Sequence, residues 1–113
     1  MAFKNIPFEN RLEQFNKINY KYPDRVPIIV TKNKHCVYDD IDKDKFLVEK
    51  NMIFCQFINV IRKRLKMSSE KALYITINGD LAPSNDTIGS IYLRYKENDG
   101  FLYMEYSMEN TFG

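Results

Sequence analysis

Apolar residues recur at helical spacing near the start of the chain. In "FENRLEQFNKINYKY", Phe8, Leu12, Phe15 and Tyr22 share one face and Ile18 lies close to it. The Pro23 ring cannot continue a helix and restricts Tyr22, so the spacing predicts a helix ending by about Lys21. The first ten residues are polar and short-patterned, with room for about one helical turn. "RVPIIVTK" is β-branched and bounded by Pro23 and polar residues, which predicts a buried strand. "NKHCVYDDIDKDK" reads as a polar loop and "KFLVEK" as a second short strand. Asn51 can cap the next helix, "MIFCQFINVIRKRLK". There Ile53, Phe54, Phe57, Ile61 and Leu65 form an apolar stripe, while Gln56, Asn59, Arg62 and Lys63 face out. Its last turn is cationic, as the helix dipole prefers. "ALYITINGD" predicts a third strand closed by an Asn-Gly turn. Asp86 is the expected cap of "TIGSIYLRYKE", with Ile88, Ile91, Tyr92 and Tyr95 on one face, and "GFLYMEYS" is the final strand.

The order is helix, strand, strand, helix, strand, helix, strand, which makes an α+β domain with a four-stranded mixed sheet. If the first and last strands pair centrally, one long helix crosses the sheet in a ubiquitin-like β-grasp; pattern alone allows other orders. With 113 residues the chain is expected to hold one domain and one core. Residues 1–22 would be a helical extension, and 23–113 the β-grasp core and C-terminal tail.

Composition narrows the chemistry. The hydrophobic fraction is 44% and the charged fraction 28%, as in an ordinary globular protein. Seventeen basic and fifteen acidic residues leave a net charge of +2, too mild to imply nucleic acid by itself. The two cysteines, Cys36 and Cys55, make no disulfide framework and fit a reducing compartment. Cys55 falls within an apolar helical pattern and is expected to be buried. No apolar run approaches about 18 residues, so any membrane attachment would be peripheral or covalent. The N-terminus has no apolar core of a signal peptide. A single histidine, His35, excludes a multi-histidine zinc site, and no glycine-rich phosphate loop is present. His35 beside Cys36 makes a poor catalytic dyad, because such pairs meet in space and need an orienting group. No catalytic residues, metal or cofactor are therefore assigned. "IRKRLK" reads as a solvated helix end, with a phosphate or lipid-headgroup patch as the sharper alternative.

What remains is binding. "KFLVEK" is short and flanked by charge; as an edge strand it could take an extended peptide as a further strand. Lys45 and Arg25 would attract acidic residues flanking that peptide.

"YPDRVPIIV", "DIDKDKFLV", "FINVIRKRL" and "DGFLYMEYSMENTFG" together resemble the ubiquitin-like autophagy modifier family that includes GABARAP and the microtubule-associated light chain proteins. The resemblance runs from about Pro7 to Gly113. It implies a ubiquitin-like fold preceded by two N-terminal helices, and a role as substrate and scaffold, not enzyme. It implies that Gly113 is activated by an E1-like enzyme, passed to an E2-like cysteine and joined to phosphatidylethanolamine, with a cysteine protease removing any extra residues and reversing the link. Glycine suits that step: without Cβ an extended tail can enter a narrow channel. Either the gene encodes this mature end, or the chain has been cut there.

The resemblance also implies that receptor and adaptor peptides of aromatic–x–x–aliphatic type pair with Lys45 to Val48. Ile18, Pro27, Lys45, Leu47 and Phe101 would line the aromatic pocket. Phe46, Val48, Met52, Phe57 and Val60 would line the aliphatic one, with Arg25 and Arg64 for polar contacts. "LYITI" aligns with a second docking surface of the family, and a buried strand explains it equally well. Two positions depart from the family pattern. Gln14 stands where an acidic residue is common, and Glu49 replaces a frequent proline, which puts peptide preference in question. The expected location is cytoplasmic, and autophagosomal or another organelle membrane once lipidated, a plastid-derived organelle included. Two other classes fit the residues: a β-grasp peptide adaptor that is never conjugated, and a small Cys-dependent hydrolase.

Overall fold

A computed structural model describes residues 2–68 and 70–108. A 3₁₀ turn at Phe3–Asn5 leads into helix α1 (Phe8–Lys21). Strands β1 (Arg25–Lys32) and β2 (Lys45–Glu49) follow, then helix α2 (Phe54–Arg64), strands β3 (Leu73–Ile77) and β4 (Asp80–Leu81), helix α3 (Ile88–Tyr95) and strand β5 (Leu102–Met108). The sheet order is β2-β1-β5-β3-β4, with β1 and β5 parallel at the centre and the other pairs antiparallel. This is the β-grasp order, with five strands in place of the expected four. The extra strand is the return of the Asn78–Gly79 turn, whose two positive φ angles (54° and 83°) match a type I′ hairpin.

One face of the sheet carries the main core. Val26, Ile28 and Val30 of β1, Phe46 and Val48 of β2, and Leu102, Met104 and Tyr106 of β5 are buried there. Phe54, Phe57 and Ile61 of α2 and Ile88 and Ile91 of α3 belong to the same cluster. Fully burying each such side chain is worth about 1.5–3 kcal/mol. A second, smaller cluster lies apart from it: Phe3, Ile29 and Phe101 are buried, with Ile6, Phe15, Ile18 and Tyr103 packed around them.

Helix α1 belongs to this smaller cluster and has no fully buried residue. Phe15 and Ile18 of the expected stripe pack inward, but Phe8 and Tyr22 are 44% and 40% exposed. Polar anchoring takes their place. The Arg11 guanidinium donates to Asp99 at 2.7 Å and to the Ile6 carbonyl at 2.9 Å, and Lys4 pairs with Glu97 at 3.0 Å.

Both expected caps are corrected. Helix α2 starts after Ile53 and not at Asn51, because the segment between is held by α3: the Ile88 and Gly89 amides donate to the Met52 and Lys50 carbonyls. The Gln56 side chain accepts the orphan Ile53 amide. In α3 the cap is Thr87, whose hydroxyl oxygen accepts the Ser90 amide. Asp86 instead offers its carbonyl to the Phe54 amide. Lys66, at φ 55°, ends the α2 region. The expectation of a buried Cys55 is also corrected: Cys55 is exposed, and the buried thiol is Cys36. Cys55 follows Phe54 by about 100° of helical turn, off the 54–57–61–65 stripe.

Candidate functional site: an open sheet edge between two apolar floors

Strand β2 lies at one edge of the sheet. Its hydrogen-bond parity identifies which main-chain groups are open. Lys50 donates to the Asp24 carbonyl and Val30 to the Asp44 carbonyl, and the register pairs Val26 with Val48 and Ile28 with Phe46. Even-numbered residues of β2 therefore turn their amides and carbonyls to β1. Lys45, Leu47 and Glu49 turn theirs outward. The Glu49 carbonyl is taken by the Met52 amide, which leaves Lys45 and Leu47 with a donor and an acceptor each. The same parity explains Pro27. Its nitrogen points away from β2, and pairing with β5 begins only at Ile28, so its missing N–H costs no ladder bond.

Side chains alternate across this edge. Lys45 and Leu47 face the α1 side; Phe46 and Val48 face α2. On the α1 side, Leu47 is register partner to Pro27, and Ile18 packs on the small cluster that contains Phe101. Phe101 is only 2% exposed, because Phe3 covers it at 4.7 Å between ring centroids and Phe15 meets it edge-on at 6.3 Å. The Lys45 ammonium stands 4.7 Å from the Phe3 centroid. Phe3 is thus part of this floor, a residue the sequence reading missed. Its signal was an aromatic ahead of the helical stripe, in a start that also carries Ile6 and Phe8.

On the other side Phe46 and Phe57 pack edge to face at 5.5 Å, and Val48 is buried beside them. Met52 is half-buried against this core, and Val60 is exposed on α2. Lys43 lies 5.1 Å from the Phe46 ring centroid. Arg64 pairs with Asp42 at 3.3 Å, and Arg25 with Glu49 at 3.9 Å. The structure thus gathers Ile18, Pro27, Lys45, Leu47 and Phe101 on one side of the edge. Phe46, Val48, Met52, Phe57 and Val60 lie on the other, with Arg25 and Arg64 at its ends. Gly113 lies outside the described residues.

The "IRKRLK" run is partly engaged: Arg62 donates to the Lys71 carbonyl at 2.6 Å. His35 is exposed while Cys36 is buried, so the sequence neighbours do not form a reactive pair. Among the described residues no group of His, Cys, Asp or Glu is arranged to hold a metal, and no helix is long and apolar enough to cross a membrane.

The buried polar groups are structural. Asp99 is 1% exposed and accepts from Arg11, the Tyr103 hydroxyl and the Phe101 amide. Burial, and then the bond to Asp99, push the Tyr103 hydroxyl well above the usual phenol range. The Tyr106 hydroxyl donates to the Asp39 carbonyl and accepts the Ile41 amide. Burial raises it to about 12.

A β-grasp sheet with helices added before its first strand, and a free edge at its second, is the architecture of a ubiquitin-like protein. A sequence model of the family described as "Autophagy protein Atg8 ubiquitin like" matches residues 10–113. Autophagy-related protein 8a of Arabidopsis thaliana is 45% identical over 107 residues, 95% of this chain and 88% of that one. Autophagy-related protein 8 of Kluyveromyces lactis is 44% identical over 113 residues, 99% and 91% of the two chains. The crystal structure of Trypanosoma brucei ATG8 superposes with a TM-score of 0.90 at 40% identity, covering 98% of this chain and 96% of that one. The chain belongs to the Atg8 family of ubiquitin-like autophagy proteins.

Proposed function

We propose that the chain is a ubiquitin-like modifier joined through Gly113 to phosphatidylethanolamine, and that the β2 edge recruits receptor peptides to the decorated membrane. The protein is the substrate of E1-like and E2-like enzymes and of a delipidating cysteine protease; it performs no catalysis itself. It passes between the cytoplasm and an autophagosomal or other organelle membrane. The observation that carries the peptide half is the pair of outward rungs at Lys45 and Leu47, flanked by unlike floors on either side. An extended peptide placed there gains main-chain bonds from the rungs. Alternate side chains of that peptide fall on opposite sides, an aromatic toward Lys45 and Leu47 and an aliphatic toward Met52 and Val60. Family membership supports the conjugation half, and no nucleic acid enters the reading.

The test is intact mass after incubation with the E1-like and E2-like enzymes, ATP and phosphatidylethanolamine vesicles, with Gly113→Ala alongside. The expected result is a gain of one lipid mass, absent in the variant. No gain, with both enzymes active on another family member, refutes conjugation and leaves a peptide-binding adaptor.

A further inference from the structure

Past Val48 the open edge runs into a charged pair. Arg25 is the register partner of Glu49 at the end of the β1–β2 ladder. Their side chains meet at 3.9 Å, with 44% and 62% of their surfaces exposed. The pair borders an open hollow of about 490 Å³ lined by Asp24, Arg25, Glu49, Lys50 and Asn51. On the peptide-binding reading above, a ligand runs parallel to β2, its aromatic residue beside Lys45 and its aliphatic anchor beside Val48 and Met52. The residue after that anchor passes over this hollow.

We propose that Glu49 is a specificity-determining residue that selects against receptor peptides carrying a carboxylate directly after the aliphatic anchor. The guanidinium that such a carboxylate would seek is Arg25, and Glu49 already holds it. An incoming acid must displace Glu49, or sit beside both Glu49 and Asp24. Lys50 balances Asp24, so the hollow as a whole is near neutral. Discrimination therefore turns on the Arg25–Glu49 contact and not on net charge. The contact is long and exposed, which makes it displaceable: the effect is a bias among peptides, not a barrier.

The experiment compares two synthetic peptides with the same Trp-x-x-Leu core, one followed by Glu and one by Ala, by fluorescence anisotropy. The readout is the ratio of their dissociation constants. Glu49→Gln shifts that ratio toward the Glu peptide by about three- to fivefold, or about 0.7–1 kcal/mol at about 1.4 kcal/mol per tenfold. Most of this gain is lost when Arg25→Gln is added, because the freed guanidinium supplies it. It also vanishes in about 1 M salt, where the screening length falls to about 3 Å. An unchanged ratio in Glu49→Gln overturns the proposal, as does a gain that survives in full without Arg25. If neither peptide binds the unaltered chain, the peptide-binding reading itself fails and takes this inference with it.

Discussion

Gly100 offers a sharp test of how the N-terminal extension is held. It has φ +89°, a region that disfavours a side chain, and an added Cβ would clash with the ring of Phe15. Its amide donates to the Glu97 carbonyl, and its carbonyl accepts the Tyr92 hydroxyl at 2.7 Å, so the backbone has little room to move. Gly100→Ala therefore carries two costs. The left-handed backbone costs about 1–2 kcal/mol. Forcing Phe15 from its place costs about 1–3 kcal/mol more, the range for overpacked sites. The sum, about 2–5 kcal/mol, is a large fraction of the stability of a small domain, about 5–15 kcal/mol. The assay is urea unfolding. At an m-value of about 2 kcal/mol/M, the midpoint falls by roughly 1–2.5 M. Repeating the change in a Phe15→Ala background separates the terms. There only the backbone cost of about 1–2 kcal/mol remains, and the difference is the coupling between Gly100 and the ring. A loss under about 0.5 kcal/mol in the unaltered background, the range of an indifferent surface change, refutes the reasoning. Equal losses in both backgrounds refute the packing part.

Three further outcomes are expected. Val60→Asp, on the exposed rim of α2, weakens binding of an aromatic–x–x–aliphatic peptide about tenfold by calorimetry while the unfolding midpoint holds. Gly79→Ala, at φ +83° with open space around it, costs about 1–2 kcal/mol from backbone strain alone, read by thermal melting. Stability is level in mildly alkaline buffer and declines as pH rises from about 10 toward about 12, because the unfolded chain releases phenol protons that Tyr103 and Tyr106 retain when folded. Tyr106→Phe shallows that decline, and denaturant midpoints across the pH series measure it.

The sequence pattern located most of the elements because the main core is built from strong periodicities. β1 is an unbroken apolar run covered on both sides. The 54–57–61–65 stripe of α2 faces a single sheet. Edge status for β2 was legible from its shortness and flanking charge, and pairing confirms it. What failed were features decided by distant neighbours. The cap of α2 moved because α3 amides claim the Lys50 and Met52 carbonyls, a contact no local window contains. Phe8 and Tyr22 sit at correct helical spacing, yet α1 packs on a cluster too small to cover its ends. Phe3 was passed over because one aromatic makes no period, although it closes over Phe101. The pocket residues came from family resemblance, since periodicity distinguishes a buried face from an exposed one but does not separate a pocket floor from ordinary core.

The last strand is the central one, and this orders the birth of the molecule. β5 joins β1 to β3, and Asp99, Phe101 and Tyr103, which receive Arg11 and Phe3, lie within or just before it. Phe3 and Arg11 therefore wait for the segment from Asp99 to Tyr103. At about 5–20 residues per second on the ribosome, α1 spends several seconds without its seat. The β1–β2 hairpin can pair early, so its bare edge exists before the floor on the α1 side does. A nascent chain thus presents the main-chain rungs at Lys45 and Leu47 before Phe101 has been made to complete the floor beside them.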